Sequence, residues 1–180
     1  GELVMRKSSI GLTKSLWNDD KRYIDNYWSV IKDYWVHGDL ASRDADGHWY
    51  LHGRSDDTIK VSGKRIGPSE LESVIVKSGK AKEVAAVGIP DKNKGSKIIL
   101  SIVPAENNDQ KESFFADLVI KDLGKSFKPD KIIFVKDLPK TRNMKIMRRV
   151  IKSCLANQDP GDLSTLLNPE SIEEIRLHAI

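Results

Sequence analysis

A lysine-rich segment in the last quarter of the sequence carries the most distinctive set of chemical groups. Residues 138–149 read Leu-Pro-Lys-Thr-Arg-Asn-Met-Lys-Ile-Met-Arg-Arg. The proline interrupts regular structure, so the segment predicts a loop that leads directly into an amphipathic helix. Such a loop can bring a cationic side chain onto an anionic substrate, and Lys145 is the candidate cation. The alternative is an ordinary surface lysine at the start of a helix.

The composition limits the kinds of protein that could use such a loop. The chain has 180 residues, of which 39% are apolar and 31% charged, as expected for one good-sized domain or a small domain with an appendage. No apolar run approaches the roughly 20 residues that span a bilayer, and we predict neither a membrane partner nor a secretory signal. Cys154 is the single cysteine, so a reducing cytoplasm fits best. Since the chain begins without methionine, we expect it to be part of something longer.

The charge balance favours anionic partners without choosing among them. A net charge of +4 and a pI of about 9.0 suit nucleotides, CoA, nucleic acid or acidic lipid headgroups. A nucleic-acid hypothesis would use the basic helix 145–152, with phosphate contacts from Lys145, Arg148, Arg149 and Lys152. It is disfavoured because 26 acidic residues stand against 30 basic ones, which leaves little basic excess.

The elements that must position these groups follow from hydrophobic periodicity and turn signals. From residue 57 onward we predict strands at 58–62, 83–89, 97–103 and 132–135, and helices at 68–77, 111–123 and 146–156. This alternation indicates an α+β fold, with a short β-sheet flanked by helices. Before it, a short helix at 20–28 and a hairpin around the turn 44–47 indicate a separate, β-rich region. The tail after residue 157 is expected to be partly ordered.

A second segment, together with the lysine-rich loop, forms a recognisable sequence pattern. Residues 53–72 read Gly-Arg-Ser-Asp-Asp-Thr-Ile-Lys-Val-Ser-Gly-Lys-Arg-Ile-Gly-Pro-Ser-Glu-Leu-Glu. Together the two segments resemble the adenylate-forming enzymes. More narrowly, the chain resembles the C-terminal portion of an AMP-forming acyl-CoA synthetase of the acetyl- and propionyl-CoA synthetase type, and residues 161–169 resemble the tail of those proteins.

The resemblance implies an activity, its substrates and a division of the chain. The activity is an ATP-dependent ligation of a small carboxylic acid, acetate or propionate, to CoA through an acyl-adenylate, with release of AMP and pyrophosphate. Mg²⁺ would bind through a larger N-terminal domain, so this piece alone should not catalyse. Residues 1–55 would end that adenylating domain, residues 56–157 would form a C-terminal lid domain, and residues 158–180 would form a tail.

Four residues would handle the adenylate. Lys145 matches the family's adenylation lysine, which stands beside the α-phosphate and the carboxylate oxygen. The usual Ser-Gly before it is Asn143-Met144, which removes the permissive φ of glycine. Asp39 matches an aspartate that hydrogen-bonds the ribose hydroxyls, whereas a bare Gly-Asp is otherwise a turn. Arg54 and Arg65 match arginines that meet the nucleotide phosphates, and they could otherwise be solvated strand residues.

Other positions would serve the hinge and CoA. Asp56 matches the residue about which the C-terminal domain swings between its two reaction poses. Ser62-Gly63-Lys64 matches the strand end that lines the pantetheine tunnel, and a β-bulge is the alternative for Gly63. An arginine near the CoA 3′-phosphate in some relatives falls at Ile120 here. Its substitutes could be Lys121, Lys125 or Lys128.

Two further readings complete the hypotheses. The four histidines, at positions 37, 48, 52 and 178, lack the paired spacing of zinc ligands, so no metal site is predicted. A regulatory fragment is also open, in which Lys145 is chiefly an acetylation target. Acetylation would remove the charge that adenylation needs.

Overall fold

The computed structural model describes residues 1–106 and 109–180, and these form two compact units, Gly1–Asp56 and Asp57–Ile180. Helices and small sheets occur in both units, so the α+β fold class predicted from the sequence is confirmed.

The first unit is a small antiparallel sheet with one helix. Its elements are β1 (Glu2–Met5), α1 (Asp20–Tyr27), β2 (Trp35–Arg43) and β3 (Trp49–Arg54), and the strand order is β1-β2-β3. Asp19 begins α1 by accepting a hydrogen bond from the backbone N–H of Arg22. The predicted hairpin is present, since Arg43 pairs with Trp49 across the turn. All four tryptophans lie in this unit.

The second unit is built on the sheet β6-β7-β8, in which β6 and β7 are antiparallel and β7 and β8 are parallel. Its elements in chain order are β4 (Ile59–Val61), β5 (Lys64–Ile66), α2 (Pro68–Lys77), β6 (Ala81–Asp91), β7 (Gly95–Pro104), α3 (Glu112–Leu123), a 3₁₀ turn (Lys125–Phe127), β8 (Lys131–Phe134), α4 (Arg148–Leu155) and α5 (Glu170–Arg176).

Both faces of this sheet are buried, because alternate side chains on each strand enter two different apolar clusters. On β6, Val84 and Ala86 face one cluster, while Ala85 and Val87 face the other. The first cluster includes α2 and α3 side chains such as Leu71, Ile75, Phe115 and Val119. The second includes α4 and α5 side chains such as Val150, Ile151, Leu155, Ile172 and Ile175. The sheet is therefore a middle layer between two helix pairs.

The C-terminal tail differs from the sequence expectation, because it is packed against the rest of the second unit. Ile175 is fully buried and Ile172 nearly so, both in the cluster that contains α4. The backbone N–H of Ile180 donates to the carbonyl of Leu155 at 3.0 Å. The weak amphipathic pattern of residues 171–180 gave little sign of this burial, since only a few apolar side chains carry it.

Candidate functional site

The lysine loop, which we define as residues 139–147, is a tight hairpin. Lys140 forms a β-bridge with Ile146, and the N–H of Thr141 donates to the carbonyl of Lys145 at 2.9 Å. Inside this pair the N–H of Met144 donates to the carbonyl of Thr141 at 2.8 Å. These bonds close a three-residue loop in which a turn is followed by one left-handed residue. Lys145 is thus the first residue after the turn, on an ordered backbone.

Met144 supplies the left-handed residue of this loop. Its φ is +60°, a region that a residue with a Cβ occupies only with strain. The resemblance predicts glycine at this position, and Met144 occupies a conformation that glycine adopts readily. The loop therefore carries backbone strain at Met144.

Replacing Met144 by glycine should stabilise the second unit by about 0.5–1 kcal/mol, because the gain from relieved φ strain exceeds the entropy that glycine loses on folding. The thermal midpoint should rise by about 1–4 °C for a chain of this size. Asn143→Gly is the matched control: Asn143 has no positive φ, so glycine there adds only entropy cost and should lower the midpoint. A lower midpoint for Met144→Gly would contradict the strain argument.

A buried lysine anchors the entry of the loop. Lys140 is 6% exposed, and its ammonium group lies 2.6 Å from a Glu83 carboxylate oxygen and 2.5 Å from one of Asp137. Burial lowers the pKa of Lys140, but the hydrogen bonds and charges of Asp137 and Glu83 outweigh it and raise the pKa above its ordinary value. The lysine is therefore charged, paired and unable to serve as a mobile cation.

A bidentate ion pair anchors the exit of the loop. The Nε and Nη2 of Arg148 donate to the two carboxylate oxygens of Glu72 at 2.8 and 2.7 Å. The hydrogen bond to Glu72 raises the pKa of Arg148, against the smaller effect of burial. Glu72 also accepts the backbone N–H of Ala86 at 2.9 Å, so the pair ties α4 to both α2 and β6.

Lys145 itself takes no part in these anchors. It is exposed, and within residues 1–106 and 109–180 its ammonium group has no hydrogen bond or ion pair. A cleft of about 450 Å³ lies beside it, lined by Thr141, Arg142, Asn143, Lys145, Ser164 and Thr165. Two cations and several hydroxyl groups thus line one surface, which is a suitable environment for an anionic group.

In the first unit, three of the predicted residues lie together. The guanidinium of Arg54 donates to both carboxylate oxygens of Asp56 at 3.1 and 3.2 Å and to the carbonyl of His37 at 3.2 Å. Asp39 lies 3.8 Å from the same guanidinium and 2.9 Å from Nδ1 of His37. A cavity of about 420 Å³ is lined by Tyr27, His37, Gly38, Arg54 and Asp56 among others. Asp56 is the last residue of its unit.

Gly38 makes this arrangement sterically feasible. Its φ is +84°, and a Cβ there would lie 2.8 Å from two guanidinium nitrogens of Arg54. Gly38→Ala should therefore shift the flexible Arg54 guanidinium, and the strain of a Cβ at this φ should cost about 1–2 kcal/mol of local stability, seen as faster hydrogen exchange of the β2 and β3 amides. Gly11→Ala is the control, because an added Cβ there meets nothing within 4 Å. Unchanged protection in Gly38→Ala would contradict the steric argument.

The proposed CoA segment is the turn of the β4–β5 hairpin. Ser62 and Gly63 both have positive φ, +48° and +80°, as a two-residue turn between Val61 and Lys64 requires. This turn, and not a β-bulge, explains the glycine locally. The N–H of Ser62 donates to the carbonyl of Lys94 at 2.8 Å, and the Lys64 ammonium donates to Ser126 Oγ at 3.0 Å.

Arg65 and a group of lysines surround this turn. Arg65 is exposed on β5, opposite Lys60. Beside the turn lies a second cleft of about 450 Å³ whose lining includes Ser62, Lys94, Lys125 and Lys128. Lys94 is paired with Asp130. Of the three lysines considered near the CoA phosphate, the structure brings Lys125 and Lys128 to the cleft, while Lys121 is not among its lining residues.

Asp44, Asp46 and His48 gather in the hairpin turn of the first unit, with ligand atoms within 4.8 Å of one another. The Asp44 carboxylate accepts the backbone N–H of His48 at 2.8 Å and the Tyr50 hydroxyl at 3.0 Å. The backbone hydrogen bond is the largest cause of the lowered pKa of Asp44. These hydrogen bonds stabilise the hairpin turn and account for the clustering of the three side chains, so we assign no metal to them.

Comparison with known proteins finds a family match within the second unit. Residues 70–145 match the family described as the AMP-binding enzyme C-terminal domain. Over this range the chain is similar to the C-terminal domains of AMP-binding enzymes. Over 98% of its length the chain is 39% identical to an acetyl-coenzyme A synthetase from Methanothrix thermoacetophila. Over 92% it is 35% identical to a propionate–CoA ligase from Escherichia coli. It spans 28% of the length of each.

Solved structures agree with this assignment. An acetoacetyl-CoA synthetase from Streptomyces lividans shares the fold over 98% of this chain and 28% of its own, with a TM-score of 0.86 and 22% identity. An anthranilate CoA ligase bound to anthranoyl-AMP has a TM-score of 0.68 and 28% identity over 81% of this chain and 28% of its own. The predicted resemblance to the C-terminal portion of acyl-CoA synthetases is thereby confirmed.

Proposed function

We propose that this AMP-binding enzyme C-terminal domain is part of a longer ATP-dependent carboxylate–CoA ligase that forms acyl-CoA, AMP and pyrophosphate through an acyl-adenylate. The names of its relatives, an acetyl-coenzyme A synthetase and a propionate–CoA ligase, support a short-chain acid as the substrate. The observation that carries the proposal is the lysine loop, a hairpin anchored at both ends, on which Lys145 has no ion-pair partner among the residues that the structure describes.

Lys145 would act in the first half-reaction. Carboxylate and ATP are both negative, and their reaction needs a cation beside the α-phosphate and the attacking oxygen to hold the two in line. Because its ammonium group is not committed to a carboxylate of the described chain, it can take this role without first breaking an ion pair. Lys140 and Arg148 cannot, since both are held by carboxylates.

The other residues would bind the nucleotide and form the hinge. Asp39 would bind the ribose, because a carboxylate has two oxygens that can each accept a hydrogen bond from one hydroxyl. Arg54 and Arg65 would contact phosphates through their planar, permanently charged guanidinium groups. Asp56 would be the hinge about which residues 56–157 swing as a lid, while residues 1–55 belong to the adenylating domain. The bidentate contact of Asp56 with Arg54 would then have to change as the hinge moves.

CoA would approach the β4–β5 turn in the second half-reaction. Ser62, Gly63 and Lys64 present backbone and a cation there, and Gly63 leaves its Cβ position open. Lys125 and Lys128 in the adjacent cleft could meet the CoA phosphates, in place of the arginine that is Ile120 here.

Mg²⁺ would be bound by the larger N-terminal domain and not by these residues. In the described part of this chain, the one grouped set of potential ligands is Asp44, Asp46 and His48, and the Asp44 oxygens are used within the turn. When bound, Mg²⁺ would neutralise charge on the ATP phosphates.

The two alternatives are weaker. Nucleic-acid binding by the basic helix would need Arg148 and Arg149, but Arg148 is paired with Glu72, and Arg149 donates to the carbonyls of Pro160 and Asp162. Acetylation of Lys145 is compatible with the ligase, because the exposed ammonium group is open to modification. It would act as an off-switch for adenylation and not as a separate function.

A cytoplasmic location remains part of the proposal. Cys154 is buried in the apolar cluster beside α4, and burial raises the pKa of its thiol, so it behaves as a small hydrophobic side chain. Within the described residues, we find no helix with the length and apolar character needed to cross a bilayer.

The experiment that tests the function uses the full-length protein. Exchange of labelled pyrophosphate into ATP should require Mg²⁺ and acetate or propionate, and addition of CoA should then give acyl-CoA and AMP. Longer and aromatic acids provide the comparison. Absence of exchange with every short-chain acid, in a protein that binds ATP, would refute the proposal.

A further inference from the structure

The tail segment, residues 163–168, lies alongside the lysine loop and pairs with it through a β-bridge and two flanking backbone hydrogen bonds. Thr141 forms a β-bridge with Leu166, the N–H of Arg142 donates to the carbonyl of Thr165 at 3.2 Å, and the N–H of Leu167 donates to the carbonyl of Lys140 at 2.8 Å. The other edge of the same backbone is bridged to Ile146. The entry strand of the hairpin is therefore paired on both sides.

Asn168 fastens the end of the tail segment to the residues just before the loop. Its Oδ1 accepts the N–H of Lys140 at 3.0 Å, and its Nδ2 donates to Asp137 Oδ2 at 2.7 Å and to the carbonyl of Leu138 at 2.8 Å. The side chain is nearly buried, at 6% exposure, and all three bonds reach the 137–140 segment. Few substitutions could replace an acceptor and a double donor in this geometry.

Asn168 also completes the ion network around Lys140. Asp137 receives the ammonium group of Lys140 on one oxygen and the Asn168 amide on the other. Desolvation raises the pKa of the Asp137 carboxyl, but the hydrogen bond and charge of Lys140, with the Leu138 N–H and the Asn168 amide, lower it below its ordinary value. Tail, carboxylate and lysine thus form one connected network at the base of the hairpin.

A two-stranded hairpin alone is marginally stable in water, and a third strand or a packing partner is needed to order it. The loop places Lys145 five residues beyond Lys140, with a strained Met144 between them. The tail segment is the element that restrains this hairpin along its outer edge. Loss of that restraint would spread the positions of the Lys145 ammonium group while leaving the sheet β6-β7-β8 intact.

We propose that the tail segment is a positioning element for Lys145, with Asn168 as its principal positioning residue. The inference rests on the proposed function, because it assumes that Lys145 serves adenylate formation. It predicts a selective defect. The half-reaction that uses Lys145 should fall, and the half-reaction that transfers a supplied acyl-adenylate to CoA should not.

The test compares two pairs of variants in the full-length protein. Asn168→Ala removes all three side-chain bonds. Leu167→Pro removes the N–H that donates to Lys140 and also fixes φ at 167 and restricts Leu166. Leu167→Ala controls for loss of the side chain, which is 54% exposed, and retains the backbone bond. Lys145→Ala is the reference for complete loss of the cation. Each protein is assayed for acid-dependent pyrophosphate exchange and for conversion of synthetic acetyl-AMP to acetyl-CoA.

Asn168→Ala and Leu167→Pro should lower exchange about 10- to 100-fold, since a displacement of about 1 Å at a reacting group can cost that much. Thioester formation should stay within about threefold, and Leu167→Ala should match the wild type in both assays. In the Lys145→Ala background, Asn168→Ala should cause no further loss of exchange, because the group that it positions is already absent.

Three results would overturn the inference. Exchange that is unchanged in Asn168→Ala and Leu167→Pro, while Lys145→Ala abolishes it, would refute the tail's role and leave the proposed function standing. An equal loss of both half-reactions would mean that the tail serves folding alone. Full exchange by Lys145→Ala would remove the proposed role of Lys145 and the inference with it. If Asn168→Ala does not fold, the comparison of Leu167→Pro with Leu167→Ala in the same two assays tests the inference in its place.

Discussion

Replacement of Lys145 by alanine in the full-length protein should lower acyl-adenylate formation by about 10²- to 10³-fold, the usual cost of removing one group that stabilises developing charge. The side chain is exposed and its ammonium group makes no hydrogen bond or ion pair within the described chain, so its removal should leave the fold and the thermal midpoint unchanged. Conversion of supplied acetyl-AMP to acetyl-CoA should continue. Pyrophosphate exchange and thioester formation, measured on one preparation, check both statements.

Two control variants sharpen this result. Lys152→Ala removes an exposed lysine of α4 and should have no effect on either half-reaction. Lys145→Arg keeps the charge but replaces a compact ammonium group by a larger planar one, so it should recover only part of the lost exchange. If Lys152→Ala were as defective as Lys145→Ala, the effect would be one of general surface charge and the specific role of Lys145 would be refuted.

Replacement of Lys140 by alanine should destabilise the second unit by about 2–4 kcal/mol. The change leaves Glu83 and Asp137 without their cation in a half-buried site, and breaking a buried pair from one side costs more than the pair itself is worth. Lys136→Ala removes an exposed lysine close by and should change stability by less than about 0.5 kcal/mol. Urea unfolding of the 180-residue chain, followed by far-ultraviolet circular dichroism, measures both.

The cost of Lys140→Ala should depend on pH in a defined direction. The pKa of Asp137 is lowered in the folded protein, so its contribution is present above the ordinary carboxyl pKa of about 4 and is lost as the pH falls through the folded value. The pKa of Lys140 is raised, so the lysine stays charged throughout neutral and mildly alkaline pH. The stability difference between wild type and variant should therefore shrink below about pH 4. A constant difference would refute the ion network as its cause.

The regular elements of the second unit were largely predictable from the sequence because their signals are local. The helix 68–77 has its predicted bounds, and the predicted helix 111–123 is α3 within one residue. Pro68 at the first turn and the helical spacing of the apolar residues account for this. The separate strand β5 was missed, because Ser62-Gly63 was interpreted as a strand end and not as a hairpin turn.

The sequence predicted the candidate site residues but not the contacts that hold the lysine loop in place. The pattern around Lys145 located the loop, but the departure from Ser-Gly at Asn143-Met144 did not show that Met144 would itself adopt a positive φ. The pairing of the tail segment with the loop could not be predicted. Ser-Thr-Leu-Leu-Asn lacks the alternation of a strand, and its backbone hydrogen bonds are to residues distant in sequence, Lys140 and Arg142. Nor does any local signal show that Lys140 is buried while Lys145 is exposed.

The confinement of all four tryptophans to the first unit makes indole fluorescence a signal of that unit alone. Trp35 stacks on Tyr27, with ring centroids 5.3 Å apart, so its emission should respond when the sheet and helix of that unit separate. The second unit has no tryptophan and is silent under selective indole excitation. Fluorescence and circular dichroism of one sample can therefore report whether the two units melt together or in sequence, without any label.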